Sequence, residues 1–89
     1  MNDMMVRQQK EKAEKRIEDM KLAMKTTAQN LRFAQQTLEG QLRNGFIPSP
    51  SLLTNVANMA RHMSLTAETI DTEQRVVKTL SDTLKLMEA

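Results

Sequence analysis

The chain has 89 residues, no cysteine, one histidine (His62) and only two aromatic residues, Phe33 and Phe46. That is room for one domain and too few aromatics for an ordinary globular core; it also excludes a disulfide framework or a thiolate metal site and leaves almost nothing for a histidine-based metal centre or catalytic dyad. Thirteen basic residues against eleven acidic ones give a net charge of +2, and the two signs are interspersed, which disfavours a nucleic-acid-binding arm.

Residues 1–9 show neither a capping box nor a sustained apolar pattern, so a frayed segment is expected there. Arg7 and Lys10 interrupt this start too early for the apolar run of a signal peptide, and no stretch approaches the ~20 apolar residues of a membrane span. With no cysteine to suggest an oxidising compartment, the expected location is cytoplasmic.

A single helical domain is predicted over residues 10–89. From Lys10 to Lys25 the chain is densely charged and helix-favouring, with Lys10 and Glu14, Glu11 and Lys15, and Lys15 and Asp19 placed four apart as on a solvated helix face. Between Thr26 and Ser64 the only full charges are Arg32, Glu39, Arg43 and Arg61. Helix one should run over residues 10–44 and close on Gly45, with a turn over 45–49 that Pro48 and Pro50 keep from continuing it. Ser49 before Pro50 reads as an N-cap with proline at the first helical position, opening a second helix over 50–88.

The apolar patterns on the two sides of the turn mirror each other. Outward on one side stand Leu42, Leu38, Ala34, Leu31, Thr27, Met24, Met20, Ile17 and Ala13; on the other stand Leu52, Val56, Met59, Met63, Thr66, Ile70, Glu73, Val77 and Leu80. After one opening step of four, both runs alternate steps of three and four, the period of a coiled-coil seam. Facing residues in antiparallel helices have numbers with a constant sum, here 93 or 94, so the predicted fold is all-α: two long antiparallel helices in a coiled-coil-like hairpin. Thr27 against Thr66 and Met20 against Glu73 interrupt the seam with polar groups that would mark its register.

One seam buries little for two helices of about forty residues, so more apolar surface should be covered elsewhere, in a four-helix arrangement with a second copy or with a partner. A second, uncharged stripe on each helix suits that purpose: Leu22, Thr26, Gln29, Phe33, Gln36 and Gly40 on the first, and Leu65, Thr69, Thr72, Val76, Thr79, Thr83 and Leu86 on the second. The candidate partner-binding residues, apolar yet off the seam, are Phe33, Phe46, Ile47, Leu53, Leu65 and Val76. No catalytic, cofactor-binding or metal-ligating set is discernible: carboxylates such as Glu68 and Asp71 lie on exposed helix positions, and two glycines cannot form a phosphate-binding loop. The reading is non-enzymatic, without a cofactor. The methionines Met20, Met24, Met59 and Met63 read as seam filler before they read as an adaptable binding surface.

Leu38 and Leu42 closing helix one, Gly45 and Pro48 in the turn, and Leu52, Leu53, Ala57 and Ala60 opening helix two give a pattern that resembles the small helical-hairpin co-chaperones of type III secretion needle subunits, the YscE/EscE type, over roughly residues 31–70. The resemblance implies a cytoplasmic hairpin that pairs with a second helical chaperone and keeps an aggregation-prone secreted subunit soluble. The expected function is therefore that of a protein-binding chaperone or adaptor acting through helix packing. One alternative is a self-associating structural four-helix homodimer; another is a small nucleic-acid-associated regulator using Arg7, Lys10, Lys12, Lys15 and Arg16.

Overall fold

The computed structural model describes residues 3–89. The chain is all-α, a helical hairpin of α1 (Asp3–Arg43) and α2 (Pro50–Glu88), with no strand among the described residues. It divides into two compact units, a terminal unit (Met1–Leu22 with Ala67–Ala89) and a turn unit (Ala23–Thr66).

In the turn unit, α1 ends as its sequence dictates. Gly45 takes a left-handed backbone, φ 81°, which a side-chain-bearing residue adopts only at a cost. Its N–H donates to the Leu42 carbonyl at 3.1 Å, and the Phe46 N–H reaches back to the Gln41 carbonyl at 2.8 Å. These two bonds satisfy carbonyls that the end of a helix would otherwise leave orphaned. Four residues later α2 is capped from the other side: the Leu52 N–H donates to Ser49 Oγ at 3.2 Å, and the Leu53 N–H donates to the Ser49 carbonyl at 3.2 Å. Pro50 at the first helical position forfeits no hydrogen bond there.

The inward face of the turn unit contains buried Ala34 and Pro48, with half-buried Met24, Thr27, Leu31 and Leu38 on α1 and Leu52, Val56, Met59, Met63 and Thr66 on α2. Leu42, expected in the seam, is instead 56% exposed, and Gln41 stands half-buried in its place. The reason is periodicity. The step from Leu42 to Leu38 is the one that breaks the three-four alternation, whereas Gln41 to Leu38 keeps it. The Gln41 side-chain oxygen is buried without a hydrogen-bond partner among the described residues. Thr27 resolves its polarity within its own helix, its hydroxyl donating to the Ala23 carbonyl at 3.1 Å.

In the terminal unit, α1 contributes buried Val6, Ala13 and Ile17, and α2 contributes Ile70 and Leu84. Met20, Glu73, Val77 and Leu80 are half-buried. α1 begins at Asp3, within the segment expected to fray, and Val6 is only 1% exposed. Val6, Lys10 and Ala13 extend the alternation by a step of four and a step of three, so the inward face continues through the segment. Met1 and Asn2 lie outside the described residues. Two ion pairs cross between the antiparallel helices of this unit, Arg7 with Glu88 and Arg16 with Glu73. Their residue numbers add to 95 and 89, on either side of the sum read from the sequence. The expected pairs Lys10–Glu14, Glu11–Lys15 and Lys15–Asp19 are not formed; the spacing-four pairs that are formed join Arg7 to Asp3, Arg75 to Asp71 and Lys78 to Asp82. Exposed charges of this kind gain so little from contact that solvation competes with it.

Candidate partner-binding surfaces

A hairpin whose inward face is a single row leaves the outward side of each helix for something else. All six candidate contact residues are exposed: Phe33 at 72%, Ile47 at 92%, and Phe46, Leu53, Leu65 and Val76 to lesser degrees. Five of them belong to the turn unit and Val76 to the terminal unit. Phe46, Ile47 and Leu53 follow one another through the turn into the first turn of α2, and Leu42, a seam position by the sequence pattern, is exposed in the last turn of α1. Phe33 stands apart, on the side of α1 turned away from the inward row.

The two units differ in charge. The terminal unit carries nine basic and ten acidic residues, the turn unit four basic (Lys25, Arg32, Arg43, Arg61) and one acidic, Glu39. In the terminal unit Arg7, Arg16, Lys21, Arg75 and Lys78 are engaged in ion pairs. In the turn unit all four basic side chains are exposed, and among the described residues none makes an ion pair or side-chain hydrogen bond.

Within the terminal unit, the α2 stripe of Thr69, Thr72, Val76, Thr79, Thr83 and Leu86 is less polar than its composition suggests. The Thr72 hydroxyl donates to the Glu68 carbonyl at 3.2 Å and the Thr83 hydroxyl to the Thr79 carbonyl at 2.9 Å. A threonine bonded back into its own helix needs no external partner, so covering it costs little desolvation. A shallow groove of about 310 Å³ lies along this stripe, lined by Thr72, Arg75, Val76, Thr79 and Leu80. A second, of about 280 Å³, is lined by Glu14, Ile17, Glu18, Lys21, Gln74 and Val77.

Sequence reasoning missed the exposed apolar residues at the far ends of the helices, Met4 and Met5 on α1 and Met87 on α2. They fell in or opposite the segment read as frayed, and only an extension of the three-four count to Val6 would have revealed a folded face there. His62 is exposed on α2. Among the described residues no cluster of His, Cys, Asp or Glu could hold a metal ion, and no helix is long and apolar enough to cross a membrane. Comparison with protein-family models, with curated proteins and with solved structures finds no match to this chain.

Proposed function

We propose that the chain is a non-enzymatic adaptor or chaperone that binds another helical protein by packing helix against helix. The observation that carries this reading is the exposed apolar set of the turn unit, Phe33, Leu42, Phe46, Ile47, Leu53 and Leu65, standing in a region almost free of acidic charge. Exposed side chains of this size are a standing cost in water that a partner's apolar face would relieve. A cytoplasmic co-chaperone for a secreted, aggregation-prone subunit, as the leucine, glycine and proline pattern around the turn suggests, is the specific form of this reading.

The test is mass measured by light scattering over a concentration series of the purified chain, with helicity recorded on the same samples. A chain that is monomeric alone and forms a stable one-to-one complex on addition of a co-purified helical protein supports the adaptor. A well-folded dimer that persists on dilution overturns it in favour of a structural homodimer.

That second reading has its own support in the internally bonded threonines of the α2 stripe, which suit close approach of a second helix. Replacing Leu65 and Val76 together by Asp separates the two: a structural dimer closed by the α2 stripe dissociates and loses helicity, while an adaptor that binds through the turn unit keeps its helicity.

A further inference from the structure

Thr26, Gln29, Phe33, Gln36 and Gly40 follow one another in steps of three and four along the outward side of α1, within the turn unit. The helical repeat places Lys25 and Arg32, seven apart, along one edge of this stripe, with Glu39 a further seven on and Arg43 just past its end. At its centre Phe33 is largely exposed. Gly40 adds a separate observation. Its backbone is not in the left-handed region, and a Cβ placed on it meets nothing within 4 Å. Neither conformation nor a neighbour in this chain calls for glycine there, although glycine weakens a helix. Two turns beyond Phe33 on the same side, it leaves a flat place where another backbone could come close.

We infer that this face of α1 takes an acidic amphipathic helix from another protein, with apolar residues over Phe33 and Gly40 and carboxylates against Lys25, Arg32 and Arg43. The inference rests on the adaptor reading above and adds the charge of the partner to it. Charge complementarity selects the occupant: the basic side chains here have no acidic partner within the described chain, whereas five of those in the terminal unit do. Spacing selects its form, because a three-four stripe edged by charges at intervals of seven matches the side-chain rows of a second helix. Phosphates of a nucleic acid would answer the cations but would not require that period, and an anionic membrane would want more apolar area than a stripe whose one large apolar residue is Phe33.

The experiment titrates the full chain against two labelled helical peptides, each with leucine at its seam positions and either glutamate or lysine flanking them, and reads fluorescence anisotropy. The glutamate peptide is expected to bind at least about tenfold more tightly, with that preference shrinking as salt is raised. Arg32→Glu should abolish the preference, Phe33→Ser should weaken binding, and Gly40→Leu should weaken it at unchanged helicity, since the added side chain occupies open space. Equal binding of the two peptides would overturn the charge assignment while leaving helix docking in place. Binding of neither would overturn this inference and count against the adaptor reading as well. Tighter, Phe33-dependent binding to duplex DNA or to phosphatidylserine vesicles than to the glutamate peptide would overturn the choice of a protein helix, and concentration-dependent self-association lost in Phe33→Ser would assign the face to a second copy.

Discussion

Arg16 grips Glu73 across the terminal unit with two hydrogen bonds, Nε donating to Oε1 at 3.2 Å and Nη2 to Oε2 at 2.9 Å. Glu73 occupies a seam position, and its side chain is 20% exposed against 53% for Arg16. The fork explains how a carboxylate is tolerated in an apolar row: it is held from the side by a residue one step off that row. Because Arg16 is half in solvent, the pair stabilises the fold by about 1 kcal/mol at most. Arg16→Ala should lower the free energy of unfolding by that order in urea denaturation. The double variant Arg16→Ala/Glu73→Leu should regain it, since no unpaired carboxylate then remains in the row. A silent Arg16→Ala would mean that the contact contributes nothing.

The two glycines of the chain should respond to the same substitution in opposite directions. Gly45→Ala forces a side chain into a left-handed backbone and should destabilise by about 1–2 kcal/mol. Gly40→Ala, at a helical site with open space around it, should stabilise by up to about 1 kcal/mol. Thermal melts followed by circular dichroism decide both, and a loss of stability in Gly40→Ala would show that something within this chain requires that glycine.

Val6 is the most completely buried large side chain among the described residues, on the first turn of α1. Val6→Ala should cost about 1–2 kcal/mol, whereas Met4→Ala, on the exposed side, should stay within about 0.5 kcal/mol. Equal, negligible effects in denaturant titrations would return this segment to the frayed state its local sequence suggests.

Gln41 and Leu42 exchange the roles their chemistry implies. Leu42→Gln should change stability by less than about 0.5 kcal/mol, and Gln41→Met should raise it by about 1 kcal/mol by removing a buried acceptor that lacks a partner. Unfolding midpoints of the two variants test the assignment directly, and a strongly destabilised Leu42→Gln would place leucine back in the seam.

The residues that disclosed the fold are those whose chemistry and spacing agree. From Ala13 to Leu38 and from Leu52 to Leu80 the apolar row and the inward face coincide, while Gly45, Ser49 and Pro50 mark the turn because each performs a backbone task few residues do as well. At the end of α1 chemistry and spacing disagree. Leu42 looked buried because it is leucine, Gln41 looked exposed because it is glutamine, and helix period overruled both. Residues 3–9 look structureless locally because what holds Val6 and Arg7 in place comes from a helix more than sixty residues further along the chain. The six candidate contact residues were recognisable as apolar positions off the row; the absence of acidic partners for Lys25, Arg32, Arg43 and Arg61 was not, since a list of charges does not tell which of them meet.

The pairing of Arg7 with Glu88 spans 81 residues of chain, and a contact so distant in sequence favours an order of events. Closing a loop of that length costs about 2 kcal/mol more chain entropy than closing one of about ten residues at the turn, if nothing between them is yet formed. The cheapest route joins the helices at Gly45 and Ser49 first and lets each closed layer shorten the search for the next, as a zip closes from its sewn end. Slowing of folding should then be greatest for substitutions beside the turn. Val6→Ala should leave the folding rate nearly unchanged and act on unfolding alone, a division that stopped-flow kinetics would read directly.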